Sequence, residues 1–264
     1  MIPVYIGYDP AERIAYHVLE HSIRERTRAD LQFAGVGNTI LSPDIWRRER
    51  GPKDSTQFSN ARFMVPWMQS YRGWAIFMDC DMLCLADIEE LWAQRDDRYT
   101  LMCVKHNHVP KETTKFLGAV QTQYGFKNWS SLMLLNTSHP SCRNLTLEYV
   151  NRAPGLDLHQ FAWTATELIG EIKGGWNVLS TPQGLQHPGA PAACQDIKLI
   201  HYTHGGPWHG YFSFGAGMWT SELRAMLAHD NPRAFIDTTV RARADKAAEE
   251  CKTSVTVSYG STGT

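Results

Sequence analysis

Asp79 and Asp81, separated by one residue, close a nearly uninterrupted apolar run at 74–78. Two carboxylates that close together in apolar surroundings repel and raise each other's pKa, and a bound divalent cation removes that penalty. Hard oxygen donors suit Mg2+ or Mn2+, which often take one or two carboxylates together with substrate phosphates. The same spacing also fits a strand running into a polar turn, but the apolar strand ahead of it favours the metal reading. A second group lies in LIHYTHGGPWHGYF, residues 199–212. His201 leaves a short apolar stretch, and imidazole is acceptable to Mn2+ though unusual for Mg2+. Gly205 and Gly206 follow His204, and glycines let a backbone approach a phosphate closely. A core histidine followed by an aromatic loop is the alternative for the same residues.

Strands alternating with helices must position these groups. Val4–Gly7 reads as a strand. Asp9 ahead of Pro10, with Glu12 three positions after Asp9, reads as an N-cap with proline at the first helical position. Ile14, Val18, Leu19 and Ile23 then share one helical face. Further strands are expected at 31–36, 74–78, 101–104, 131–135, 176–179 and 199–202. Helices are expected at 59–71, interrupted by Pro66, and at 87–92, 141–150, 159–171 and 219–228. The polar stretch 42–58 carries Arg47, Arg48, Arg50 and Lys53 and reads as a solvated loop, or else as a lid over an anionic ligand. Residues 105–128 also read as a loop. This alternation predicts an α/β fold with a largely parallel sheet. Ligands of such sheets bind outside the carboxyl ends of the strands, where Asp9, Asp79 and Asp81 fall. Residues 1–237 are expected to form one domain, and 238–264 a helical or flexible tail.

Composition narrows the function. The 264 residues hold 26 Lys+Arg against 27 Asp+Glu, for a formal charge of -1. That balance argues against a dedicated nucleic-acid binder, and with it against reading the HNH inside KHNHVPK (105–111) as a nuclease motif. No apolar run approaches the length of a membrane span, and MIPVYIGYDP has none of the features of a signal peptide. A cytoplasmic location follows as the expectation. Six cysteines without a CxxC pair then read as reduced thiols rather than a zinc site, and the N-x-S/T triplets at Asn128, Asn136 and Asn144 as coincidence.

The ordered set of motifs resembles the nucleotide-sugar glycosyltransferases of the GT-A type. More narrowly, it resembles the retaining family that contains glycogenin and bacterial lipooligosaccharide galactosyltransferases, in a less characterised bacterial or phage branch. The resemblance covers about residues 2–229. VYIGYDP stands at the family's first strand and uracil-contacting Asp. SNARFMVP is similar to its S-x-x-x-R-x-x-x-P helix, and AIFMDCDMLCLADIEELW to its strand, metal motif and following helix. SSLMLLN is similar to a buried strand after the sugar pocket, DLHQFAW to the D-Q segment, and IHYTHGGPW to the C-terminal H-x-x-G-x-x-K-P-W motif. Three departures stand out. The last motif is one residue shorter and lacks its phosphate-binding Lys, the sugar-contacting segment reads NWSS, and His159 replaces the Asp of the D-Q pair.

The resemblance implies a Rossmann-like, mostly parallel sheet flanked by helices. It also implies a cation-dependent transfer of a sugar, with retention, from a UDP-sugar to a hydroxyl of a glycan, a lipid-linked glycan or a protein. Peripheral contact with a membrane is left open. Asp79, Asp81 and His201 would hold Mn2+ or Mg2+ against the diphosphate, a leaving group whose charge grows in the transition state. Gly7, Tyr8, Asp9, Arg62, Cys80, Gly205, Gly206 and Trp208 would complete the nucleotide site. Lys105, His106, Asn128, Trp129, Ser130, Ser131 and Gln160 would surround the donor sugar, with Gln160 beneath it. Lys127, His204 or His209 would stand in for the missing Lys. Were the reaction inverting, a general base would be required, for which Asp157 and Glu167 are candidates. Trp208, Tyr211, Phe212, Phe214 and Trp219 read as an acceptor cleft or as core. The rivals are a nucleotidyltransferase, disfavoured because YDPAERIAYH lacks a glycine run, and a non-catalytic nucleotide-sugar-binding protein.

Overall fold

The computed structural model describes residues 1–52, 54–106, 126–190 and 192–228. In chain order the strands are β1 (Ile2–Gly7), β2 (Leu31–Val36), β3 (Trp74–Met78), β4 (Met82–Cys84), β5 (Leu101–Cys103), β6 (Leu132–Asn136), β7 (Ile169–Glu171), β8 (Val178–Thr181), β9 (Gly184–Gln186) and β10 (Leu199–His201). The helices are α1 (Arg13–Arg24), α2 (Val65–Met68), α3 (Ile88–Trp92), α4 (Leu147–Arg152), α5 (Gly155–His159), α6 (Ala192–Gln195) and α7 (Ala216–Ala228).

The central sheet runs β2-β1-β3-β6-β5-β7. Its β2-β1, β1-β3 and β5-β7 pairs are parallel, and β6 alone runs against its neighbours. Parallel strands covered on both faces read as continuous apolar runs. Strand β3 is such a strand, buried from Ala75 to Met78, whereas β2, at the sheet edge, is mostly half-buried, and the antiparallel β6 is buried along its whole length. Both β2 and β3 begin and end where the sequence places them. A smaller sheet, β4-β10-β8-β9, packs beside it. α1 bridges to this sheet: Ile14, Ala15 and Val18 join Leu83, Ile200, Tyr202, Trp208, Trp219 and Leu223 in one buried cluster. Asp9 caps the first turn, its carboxylate accepting from Ala11 N at 2.9 Å, with Pro10 next in line.

Three expected helices fail, and the strand expected at 176–179 is displaced to Val178–Thr181. The helix read over 159–171 ends at His159. Phe161 then takes a left-handed φ of 56°, and Ile169–Glu171 pairs with β5 as an edge strand. The helix read over 59–71 is a 3₁₀ turn at Ala61–Met64 followed by the short α2, with Pro66 in its first turn. The helix read over 141–150 is likewise divided into a 3₁₀ turn, Pro140–Asn144, and α4. Lys53, most of the 105–128 loop and the 238–264 tail lie outside the described residues. No helix of the described residues is long and apolar enough to cross a membrane.

Helices α1 and α7 are clamped by Glu222, which meets Arg26 Nη2 and His21 Nδ1, each at 2.7 Å. Burial alone would raise the Glu222 pKa, but Arg26 and His21 hold it below the usual carboxyl range. Its contribution is therefore present above the unfolded pKa and lost as pH falls through the lower folded value. Glu222→Gln should cost about 1–3 kcal/mol near neutral pH, and the gap to wild type should close below about pH 4. Urea unfolding at the two pH values measures both.

Candidate functional site

Two ladders assemble the acidic pair. Met78 pairs with Leu132, and Asp79 N–H extends that ladder by donating to Ser131 O at 2.9 Å. After the turn, β4 runs antiparallel to β10 with Met82 opposite His201, and Tyr202 N–H donates to Asp81 O at 2.8 Å. Strands distant in sequence thereby bring one ligand atom each from Asp79, Asp81 and His201 within 4.8 Å of one another. His201 Nε2 lies 3.3 Å from Asp81 Oδ1, an oxygen shielded from solvent that accepts no hydrogen bond. Two carboxylates and an imidazole, with a carboxylate oxygen unspent, fit a divalent cation of the Mn2+ or Mg2+ kind.

Charge is concentrated here at low exposure. Burial and, after it, neighbouring Asp81 raise the Asp79 pKa to about 7, even though Arg62 opposes the shift. Arg62, 5% exposed, places Nη1 2.8 Å from Asp79 Oδ1. The same guanidinium donates to Ser59 O and Ser130 O and lies over the rings of Phe58 and Phe77. Beneath the turn sits a further buried carboxylate, Glu12, which accepts from Cys80 Sγ at 3.4 Å and lies 3.9 Å from His209 Nε2. Burial and then Asp81 push its pKa up. Burial alone would lower the His201 pKa, but Asp81 and Asp79 more than reverse that. The whole group favours incoming positive charge.

The NWSS segment is fastened to this centre. Ser131 Oγ donates to Asn128 O at 2.6 Å, Ser130 Oγ meets His159 Nδ1 at 2.8 Å, and Trp129 Nε1 donates to His106 O at 2.9 Å. Lys105 Nζ lies over the Trp129 ring and donates to Ile169 O. Gln160 closes α5 beside His159, its N–H donating to Leu156 O.

Other candidates have structural tasks. A Cβ on Gly7 would come 2.5 Å from the Phe58 ring, and one on Gly206 2.0 Å from Trp208. Both glycines thus answer to close packing. Tyr8 packs edge-on to Tyr16, and Asp9 accepts from Gln57 N–H as well as from Ala11. The Cys80 side chain is turned into the core. Trp208 and Trp219 belong to the buried cluster, whereas Tyr211, Phe212 and Phe214 are each about half exposed, so the aromatic segment divides between core and surface. Gly205, at φ 89°, makes the turn between β10 and that segment. Asp157 lies in the first turn of α5 and Glu167 is exposed in a 3₁₀ turn. Among the described contacts neither side chain reaches the acidic centre. Arg48 donates to Val150 O and Ala153 O at the end of α4, and Arg50 to Asp54 O and Ser55 O, so these two pin their loop.

Two residues of the centre escaped the sequence reading as site components. Glu12 reads there only as a helix-start residue. Asn177 belongs to no motif, yet its Oδ1 lies 2.8 Å from His201 Nδ1.

No protein-family model matches the chain. Protein CDI of Arabidopsis thaliana is 43% identical over 223 residues, 83% of this chain and 85% of that protein. Among solved structures, the bifunctional glycosyltransferase WbbM superposes with a TM-score of 0.63 at 14% identity. That match covers 92% of this chain but 51% of WbbM, so the chain spans about half of it. The galactosyltransferase LgtC, solved with donor and acceptor sugar analogues, gives 0.60 at 12% identity over 92% of this chain and 100% of its own. Glycosyltransferase GlyE of Streptococcus pneumoniae TIGR4 gives 0.55 at 10% identity, covering 95% of this chain and 63% of its own. At such identities the likeness is one of fold, and that fold is the GT-A type.

Proposed function

The chain belongs to the family of Arabidopsis Protein CDI, and we propose that it is a divalent-cation-dependent glycosyltransferase. In this reading it moves a sugar from a nucleoside diphosphate, with UDP as the expected carrier, to a hydroxyl acceptor with retention. The observation that carries the reading is the Asp79–Asp81–His201 cluster, set at the carboxyl end of β3 in a GT-A fold.

Asp79, Asp81 and His201 would hold the cation, Mn2+ or Mg2+, which when bound supplies a Lewis acid for the departing diphosphate. Arg62 holds Asp79 in place and balances its charge before a ligand arrives. Gly7, Tyr8 and Asp9, at the end of β1, line the side proposed for the base. The backbone at Gly205 and Gly206 adds polar groups at the end of β10. The 128–131 segment, Lys105, His106 and Gln160 make the proposed wall of the sugar site. His159 in place of an acid gives that wall an imidazole tied to Ser130, so sugar preference is expected to differ from that of members with the D-Q pair. Retention needs no protein base, because the leaving phosphate can accept the acceptor's proton.

Calorimetric titration of UDP, GDP and CMP, with and without Mn2+, tests the reading. Wild type should bind UDP only with Mn2+, and Asp81→Ala should lose that binding. Selective binding of GDP would change the donor. Binding of no nucleotide would overturn the proposal.

A further inference from the structure

We propose that Asn177 is a positioning residue: it fixes the face that His201 presents to a bound cation and couples that face to the 128–131 segment. This rests on reading Asp79, Asp81 and His201 as a cation site.

Asn177 is fully buried, immediately before β8. Its backbone is left-handed, with φ 53°, a conformation asparagine tolerates better than most residues. Its side chain makes contacts in two directions. Nδ2 lies 3.3 Å from Asn128 O and 3.0 Å from Ser131 Oγ, and Oδ1 lies 2.8 Å from His201 Nδ1. The orientation of this amide follows from its partners. Asn128 O is a carbonyl and only accepts, so the group facing it must be the NH2. Ser131 Oγ spends its own hydrogen on Asn128 O, so it too accepts from Nδ2. The carbonyl oxygen of Asn177 therefore faces the imidazole. Because an amide oxygen only accepts, His201 Nδ1 must carry a hydrogen.

The consequence falls on the other ring nitrogen. With Nδ1–H committed, Nε2 is the atom free to present a lone pair to a cation, and it is the atom 3.3 Å from Asp81 Oδ1. Partners of this kind, one bond beyond the ligand, typically change metal affinity 10–100-fold when removed. Asn177 differs from a simple orienting group in having two ends. Its NH2 holds the turn made by Asn128, itself at φ 63°, and Ser131. Movement of that turn is therefore transmitted to the ring of His201.

Two variants separate positioning from bulk. Asn177→Gly deletes the amide at a backbone conformation glycine adopts without strain. Asn177→Asp keeps an acceptor for Nδ1–H but cannot donate to Asn128 or Ser131. Mn2+ alone is titrated into the full chain and followed by electron paramagnetic resonance, with near-UV circular dichroism confirming the folded state. Wild type should bind Mn2+, Asn177→Gly should bind it about 10–100-fold more weakly, and Asn177→Asp should restore binding to within about threefold of wild type or tighter. Unchanged affinity in a folded Asn177→Gly, or an Asn177→Asp as weak as Asn177→Gly, would overturn the role of Asn177 while leaving the cation site standing. Failure of wild type itself to bind Mn2+ would overturn the cation reading and this inference with it.

Discussion

Arg62→Met should lower the thermal midpoint of the metal-free protein by about 10 °C at neutral pH, the shift expected for roughly 3–5 kcal/mol in a domain of this size. Methionine keeps most of the volume between Phe58 and Phe77 but removes the only cation that an ion pair places against Asp79 among the described residues. It also strips donors from Ser59 O and Ser130 O. Removing one partner of a buried pair costs more than the pair contributes, because the carboxyl left behind must stay charged without a partner or take up a proton. The sign of the pH dependence is specific. Burial holds the Asp79 pKa at about 7, above its unfolded value. Between the ordinary carboxyl range and pH 7 the folded state thus keeps a proton that the unfolded state has lost, and stability falls as pH rises. The variant should carry that fall on to higher pH, because Asp79 without Arg62 holds its proton longer, and saturating Mn2+ should flatten the fall in wild type. Differential scanning calorimetry across pH, with and without the metal, reads all three.

Asp81→Asn should leave the fold nearly untouched and lower turnover at least about 100–1000-fold, the range seen when one electrostatic stabiliser of a developing charge is removed. The fold survives because the structural contact of Asp81 is its backbone carbonyl, which accepts from Tyr202 N–H whatever the side chain. The loss is large because Asn offers a neutral oxygen where an unspent anionic one faces His201. His201→Ala should act in the same direction, with a smaller loss in Mg2+ than in Mn2+, since imidazole is the softer ligand. Comparing kcat and thermal midpoint for each variant separates a chemical loss from unfolding.

Those effects rest on a site whose halves were unequally legible in the chain. Strand β3 was readable to the residue because Ala75–Met78 are buried, β2 begins and ends as read although Val36 alone in it is buried, and Asp9-Pro10 marked the helix start. Asp79, Asp81 and His201 stood out because carboxylates and an imidazole rarely end apolar runs without a task. What joins them did not stand out. β4 is three residues long inside the apolar stretch MLCLAD, where period and composition cannot distinguish strand from turn. Yet its pairing with β10 is what sets His201 beside Asp81. The apolar residues after His159 suggested a helix, but Phe161 and Trp163 reach the core through a left-handed turn, and Ile169 through an edge strand. Asn177 carries no charge and belongs to no motif, so its importance exists only once β8, β10 and the 128–131 turn are in place.

The most direct test of the central proposal is the release of UDP from a panel of UDP-sugars, followed by 31P NMR on wild type and Asp81→Asn with Mn2+ present or chelated. The expected result is slow turnover of at least one UDP-sugar by wild type, abolished by chelation and by the substitution, with faster release when a hydroxyl acceptor is supplied. Turnover that persists in the chelator or in Asp81→Asn would contradict a cation-dependent site at Asp79, Asp81 and His201. No turnover of any UDP-sugar by folded wild type would contradict transfer from a UDP carrier.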